Sequence, residues 1–479
     1  MTTERTVPAL VGDEWLTSTS TQTDVTDPST GMPVASVPCL ESADVDSAVA
    51  AAVDASRVWR DRTVRERALL LRRTAEILDT RRRELVEDLR AEGGKPVLEA
   101  EAEADKAIAT FGYYGGLAHA LDGRAFPAEG ERRRHETRLE AIGVVAAVTP
   151  WNVPAASPAR KLAPALLAGN SVVVKPATAT PISSYHLVRA IVDAGAPAGL
   201  VQLTPGSGRV VGHRLATHEA VDAVSFTGST QVGFDLRAEL ARSLTRLQLE
   251  LGGKNAAVVL PSADLDVAVE FIVRAAFGLA GQQCTATSRV IVHRSVANEL
   301  EARLVRAVES VRVGPTDRRD TDMGPLIDAG QLAVVHGFVE RAMAEGAEPA
   351  AGGAPHVMGG CYYQPTLLLG VTPGMEVARE EVFGPVLAVM RADDLDTAVQ
   401  VLNDTPYGLS AAVHTALLDE AEHVVRAADC GVAVVNGSTA GIELAAPFGG
   451  FKRSGTESKE HGPESLAFYT RTKLVSWGW

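Results

Sequence analysis

IGVVAAVTPWNVPAASPARKLAPALLAGNSVVVK, residues 142–175, sets an apolar run, a turn with two prolines, a helix-compatible segment and a second apolar run in succession. A strand with one wet face alternates apolar and polar residues. Val144–Val148 and Ser171–Lys175 do not alternate, which predicts strands covered on both faces and therefore a parallel sheet. The helix between them is expected over Ala159–Leu167, with its start near Ala156 because Pro158 fits only the first turn. Outward toward the C-terminus, further strands are predicted near Leu200–Leu203, Ala223–Phe226 and Leu247–Leu249. Helices fall between them near Ile182–Ala194, Gly208–Ala216 and Gln231–Arg242. Such alternation predicts a doubly wound, Rossmann-like α/β sheet with ligands at the strand C-termini. After Gly252 a second α/β series begins, with strands near Ala256–Leu260, Arg289–His293, Pro385–Val389 and Gly431–Val435.

Toward the N-terminus the chain reads as helical. Val45, Ala48, Val49, Ala52 and Val53 share one face of a helix reaching Trp59, and one long helix is expected over Val64–Ala91. The tail from Leu466 reads as extended and ends Val-Ser-Trp-Gly-Trp479, an apolar ending better suited to a partner surface than to water.

With 479 residues, a prior of about 150 per domain gives three domains. Lys and Arg number 46 against 60 Asp and Glu, a net charge of −14 that repels phosphate backbones and argues against nucleic-acid binding. Four cysteines, Cys39, Cys284, Cys361 and Cys430, form no CxxC pair, which points to free thiols in a reducing compartment. No apolar run approaches the roughly 20 residues of a membrane span. The N-terminal stretch has no signal-peptide core, so a cytosolic protein is expected. No HExxH occurs and His213 and His218 lie five apart, so no metal site is expected.

Four stretches carry chemistry. In Gly281-Gln-Gln-Cys284-Thr285 the thiol sits in polar, turn-like sequence, as an accessible nucleophile requires, although a lone cysteine is more often a small buried hydrophobe. Glu250 ends an apolar strand before Gly252 and Gly253; it is either a partly desolvated general base or a strand-end acid facing solvent. Asn152, between Pro150 and Pro154, is held where strand becomes helix and can donate to an oxyanion or cap the helix. Phe226-Thr-Gly228-Ser229-Thr230, followed by Gly233, brings small residues to a helix N-terminus, where anions bind. Two look-alikes are set aside: Gly206-Ser-Gly208 with Gly212 lacks the dinucleotide spacing, and Gly93-Gly-Lys95 follows a helix instead of a strand.

Taken in order, TPWNVP, VVVKPA, FTGST, ELGGK, GQQCTATSR, EVFGP and PFGGFKRSG, from Thr149 to Gly455, closely resemble the aldehyde dehydrogenase superfamily. The resemblance implies a Rossmann-like cofactor domain (1–119 and 142–252), a catalytic domain (253–453) and a small β oligomerisation element (120–141 and 466–479). It implies Cys284 as nucleophile, Glu250 as base, Asn152 as oxyanion donor with the Cys284 N–H, and Glu460 in proton relay, with Lys459 where many relatives have Arg. NAD or NADP is the implied cofactor. Lys175 and Thr178 would lie on the adenosine ribose, Gly228, Ser229 and Gly233 on the pyrophosphate side, Glu381 on the nicotinamide ribose, and Trp151, Leu251 and Phe383 near the cofactor. Thr178 stands where many NAD-preferring relatives carry Glu, so NADP is expected to be accepted as well. A homodimer or homotetramer is implied.

The expected reaction oxidises a small-molecule aldehyde to a carboxylic acid through a thioester. Glu250 disfavours a CoA-acylating relative, and the intact Cys, Glu and Asn positions disfavour a non-enzymatic use of the fold. Arg160-Lys161 followed by Pro-Ala-Leu resembles succinic semialdehyde dehydrogenases, while CTATSR and the EHG…FYT tail look more like α-ketoglutaric semialdehyde dehydrogenases. Arg160 is therefore expected to grip a substrate carboxylate or to pair with a structural acid. Gly278 occupies a position where some succinic semialdehyde enzymes place a second Arg. A broad aliphatic or aromatic aldehyde dehydrogenase is the other substrate reading.

Overall fold

The structure, a computed structural model, describes residues 5–479. Strands Val144–Val148 and Ser171–Lys175 pair in parallel, with helix Ala156–Ala168 packed against them. Val144–Ala147 and Val172–Val174 are all essentially inaccessible, as the unbroken apolar runs require. Helix Ala156–Ala168 keeps Pro158 in its first turn and ends at left-handed Gly169.

Five parallel strands run in the order Arg246–Glu250, Ala223–Thr227, Val144–Val148, Ser171–Lys175, Val201–Leu203. A hairpin of Ala9–Val11 and Glu14–Leu16 adds two antiparallel strands at the far edge; these were not foreseen. Chain order reverses between Val144–Val148 and Ala223–Thr227. A doubly wound sheet opens its ligand crevice at such a switch point. Both TPWN and FTGST therefore emerge beside it.

A second seven-stranded sheet is built from the later part of the chain. Thr366–Leu369, Val386–Ala392, Arg289–His293, Ala256–Val259, Ser410–His414 and Val432–Val435 are parallel, and Glu348–Ala351 pairs antiparallel at one edge. A three-stranded antiparallel sheet joins Ala125–Phe126, Arg133–Ala141 and Thr470–Gly478. The tail is thus a strand, but only after the helical turn Leu466–Tyr469.

Two local expectations need correction. The helix expected over Val64–Ala91 is two helices, Val64–Thr80 and Arg82–Gly93, broken where Arg81 leaves helical geometry (φ −105°, ψ 11°). Thr80 Oγ1 donates to the Ile77 carbonyl at 2.7 Å there, the side-chain competition that ends helices without Pro or Gly. The segment Gly208–Ala216 opens as a π turn over Gly208–Gly212 before the short α-helix His213–Ala216. A further helix, Val97–Gly116, packs against Ala156–Ala168 and brings Glu99, Glu103 and Lys106 toward the crevice region.

Candidate active site

Asn152 sits just past the strand end, buried in the turn before Ala156. Its Nδ2 donates to the Gln282 carbonyl at 2.8 Å, which fixes the amide and leaves its second N–H free. Its own carbonyl accepts from Lys95 Nζ at 2.6 Å. Lys95 is itself held by Glu103, whose Oε1 accepts the Ala155 and Ala156 N–H groups at 2.9 and 3.1 Å. Gly93-Gly94-Lys95, set aside as a phosphate loop, is the brace of the Asn152 turn.

Cys284 follows a left-handed turn. Leu279, Ala280 and Gly281 have φ of 52°, 53° and 70° in succession, a conformation that costs non-glycine residues about 1–2 kcal/mol each. Gly281 tolerates no Cβ, since one would lie 2.2 Å from the Gly384 carbonyl oxygen. Glu99 Oε1 accepts the Leu279 N–H at 2.7 Å, and Gln282 Oε1 accepts from Ile327 N at 2.9 Å, pinning the turn from two sides. The thiol is half-buried, and burial first, then the charge of Glu250, pushes it well above its ordinary value.

Glu250 ends its strand 3% exposed, with Oε1 lacking any hydrogen-bond partner. Burial and then Glu460 raise its carboxyl to about 8, the range of a base that works near neutrality. Glu460 is equally buried yet behaves in the opposite way. Burial opposes its charge, but Lys161 and Arg160 hold it down at about 2. Lys161, wholly inaccessible, donates to Glu460 Oε1 at 2.6 Å and to Ser225 Oγ at 2.9 Å. Lys459, in place of Arg, donates to the Gly449 carbonyl at 2.8 Å.

A cavity of about 260 Å³ opens on Cys284 and Asn152, with Lys106, Arg160, Phe448 and His461 in its wall. Arg160 reaches the cavity and also approaches Glu460, at 3.8 Å, so both of its expected environments are present. Gly278 lies outside the cavity lining.

On the crevice side, Lys175 ends its strand buried, and burial alone pushes its ammonium down to about 8. No carboxylate lies within ion-pair reach of it among the described residues. A buried cation without an acid leaves room for a ligand that offers hydroxyl or phosphate oxygens. Thr178 Oγ1 donates to the Gly206 carbonyl at 3.2 Å, which places the Gly206-Ser-Gly208 turn near Lys175 as well. Ser229 caps helix Thr230–Glu239, and Gly228 N donates to the Glu250 carbonyl at 3.1 Å. Gly233 packs on Leu251 so closely that a Cβ would sit 2.5 Å from a Leu251 methyl.

Glu381 Oε1 accepts the Gly253 N–H at 2.9 Å, and the missing side chain of Gly252 makes its space. Phe383, at φ 53°, meets Trp151 edge-to-face with centroids 5.3 Å apart. The structure thus brings Asn152, Arg160 and Cys284 to one cavity, sets Glu250 and Glu460 close enough to act on the thiol, and leaves Lys175, Thr178, Gly228 and Ser229 at the strand ends of the first sheet, outside that cavity. Lys161, Lys95, Glu103, Glu99, Lys106 and His461 were not foreseen. Only Lys161 had a signal, as a lysine inside an otherwise apolar helix face.

The profile of the aldehyde dehydrogenase family matches residues 15–475. An α-ketoglutarate semialdehyde dehydrogenase of Haloferax volcanii is 42% identical, over 97% of this chain and 98% of that protein. Among solved structures, an NADP-dependent enzyme of E. coli superposes with a TM-score of 0.96 at 33% identity, covering 99% of this chain and 98% of that one. A betaine aldehyde dehydrogenase of Staphylococcus aureus, solved with NAD+, gives 0.96 at 30% identity, over 99% and 95%. The order of strands, the crevice at their switch point and the motifs along it have one common account, and the chain belongs to the aldehyde dehydrogenase family, whose members are aldehyde-oxidising oxidoreductases.

Proposed function

We propose that this chain oxidises a semialdehyde acid to the corresponding dicarboxylic acid with NAD or NADP, in the cytosol and as a homodimer or homotetramer. The observation that carries the substrate reading is the Arg160 guanidinium in the wall of the cavity that opens on Cys284. The relative from Haloferax volcanii, named for α-ketoglutarate semialdehyde, supports the same class. For the assembly, the support is the exposed strand Thr470–Gly478, whose outer edge is unpaired among the described residues and which carries Leu474 and Trp477, exposed by 64% and 44%, with Trp479 after it exposed by 71%. No helix among the described residues is long and apolar enough to cross a membrane.

The residues fit the cofactor. Lys175 supplies a buried, unpaired cation for ribose or phosphate oxygens, Ser229 and Gly228 an accessible helix entrance, and Glu381 a carboxylate for ribose hydroxyls. When bound, the cofactor accepts the hydride and adds positive charge beside the thiol.

Cys284 attacks the aldehyde carbon as its thiolate, its proton passing to the solvent of the cavity that opens on it. The free Asn152 N–H and the Cys284 N–H meet the oxyanion. Loss of hydride leaves a thioester on Cys284. Glu250 then takes a proton from water, and the resulting hydroxide releases the acid. Glu460, held by Lys161 at 2.6 Å and close enough to raise the Glu250 carboxyl, is the acid proposed to relay that proton away from Glu250.

Cys284→Ala tests the chemistry: turnover of every aldehyde is expected to vanish, and residual turnover above about one part in a thousand would remove Cys284 from its role. Arg160→Leu tests the substrate class. The ratio of kcat/KM for succinic semialdehyde over that for butanal is expected to fall by about tenfold or more, chiefly through KM. An unchanged ratio would assign Arg160 to Glu460 and the scaffold.

A further inference from the structure

Arg160 is not free to grip a carboxylate in the two-bond fork usual for arginine. Its Nε donates to the Ala156 carbonyl at 3.3 Å, and one terminal nitrogen lies 3.2 Å from His461 Nε2. His461 Nδ1 faces the Glu443 carbonyl at 3.3 Å, which only accepts, so Nδ1 carries the ring proton and Nε2 accepts from Arg160. Burial first and Arg160 second keep that imidazole neutral, titrating near 3. The guanidinium lies 5.9 Å from the Phe448 ring centroid. The terminal nitrogen beside His461 also lies 3.8 Å from Glu460, so what remains for a ligand is the other terminal nitrogen, Nη2.

Lys106 shares the cavity wall from the helix opposite, Val97–Gly116. Its Nζ donates to the Ile442 carbonyl at 2.9 Å and retains two hydrogens. No carboxylate lies within ion-pair distance of it among the described residues. Glu103, one turn back, is already held by Lys95 and two backbone N–H groups, and Glu99 by Leu279. The cavity therefore carries two cations: Lys106, with no carboxylate in ion-pair reach among the described residues, and Arg160, whose nearest acid is Glu460 at 3.8 Å.

Resting on the reading that the substrate carries a carboxylate, we infer that Lys106 and Arg160 divide that carboxylate between them, Lys106 taking one oxygen and Nη2 of Arg160 the other. Lys106 is then a specificity-determining residue in its own right. The groups acting on it are Arg160 from Ala156–Ala168, Glu103 from its own helix and Cys284 from the catalytic turn, with neutral His461 in the same wall. Burial and Arg160 lower its ammonium to about 8, so its charge is lost as pH rises through that value.

The test uses the holoenzyme with saturating cofactor and two probes, succinic semialdehyde and butanal. Their kcat/KM ratio cancels the ionisations of Cys284 and Glu250, which both substrates share. Lys106→Met should lower the ratio about tenfold, and Lys106→Gln, which keeps a donor for Ile442, should do the same. Lys106→Arg should restore it. In the wild type the ratio should fall above about pH 8, and in Lys106→Arg it should stay level. The loss in Lys106→Met/Arg160→Leu should be smaller than the product of the single losses, because both residues hold one group. A ratio within twofold of wild type in Lys106→Met and Lys106→Gln, alongside a fall in Arg160→Leu, would overturn the shared site and leave the substrate class standing. A wild-type ratio no greater than one would overturn the substrate class, and the shared site with it.

Discussion

Two acids separate two regions of this molecule that burial alone would make alike. Glu250, at the end of strand Arg246–Glu250, and Glu460, in the segment before the tail, are each 3% exposed. Each leaves one buried oxygen without a hydrogen-bond partner among the described residues, but Glu250 has no cation in ion-pair reach there and titrates near 8, whereas Glu460 has Lys161 at 2.6 Å and Arg160 at 3.8 Å and titrates near 2. Desolvation disfavours charge in both places, and only the neighbouring cation reverses it. An unpaired buried acid is a proton acceptor held in reserve; a paired one rests charged at neutral pH.

The largest break in that comparison comes from Glu250→Gln. A single round of hydride release, about one per active site, is expected to survive, while steady turnover falls by about 10²–10⁴. A burst measurement by stopped flow separates the two, and full steady turnover would end the role of Glu250 in activating water. Lys161→Met attacks the other side. Leaving a buried carboxylate with only the more distant Arg160 is expected to cost about 3–5 kcal/mol in denaturant unfolding. Adding Glu460→Gln should recover much of that loss; no recovery would mean that the two groups are not coupled.

The pH dependence of stability sharpens the contrast. Glu250, raised in the folded state, stabilises the fold below the unfolded value near 4.5, and this is lost as pH rises toward about 8. Glu460, depressed, stabilises it above that same unfolded value, and this is lost as pH falls toward about 2. Each slope is at most about 1.4 kcal/mol per pH unit. In Glu250→Gln the decline between about pH 4.5 and 8 should flatten, measured as Tm against pH; an unaltered decline would mean that Glu250 is not the titrating group.

The smallest effect concerns Lys175, a buried cation with no carboxylate in ion-pair reach among the described residues. Thr178→Glu would set an acid near the cofactor's adenosine ribose and is expected to lower kcat/KM for NADP relative to NAD by about tenfold, a repulsion of order 1 kcal/mol. A wild-type NADP value below about a thousandth of that for NAD would show that Thr178 does not admit the phosphate.

Much of this was legible in order along the chain. Val144–Val148 and Ser171–Lys175 announce covered strands because every residue of each is apolar or small up to Lys175, and Cys284, Glu250 and Asn152 are marked by the turns around them. The break at Arg81 was not legible, since the apolar stripe continues through it and no Pro or Gly marks it. Nor was the edge hairpin Ala9–Leu16, whose place depends on pairing Leu10 with Leu203 across the molecule.

By itself the sequence determined the strand–helix alternation, the strand-end positions of the reactive groups and the free state of the thiols, because these follow from local periodicity, backbone restriction at Pro and Gly, and side-chain identity. Only the tertiary structure decided which charges meet. Lys161 reaches Glu460 across 299 residues, Lys95 braces Asn152 across 57, and Arg160 meets His461 across 301. Whether a buried acid is a base or rests charged depends on a cation within a few ångströms, and no local pattern in the chain specifies that distance.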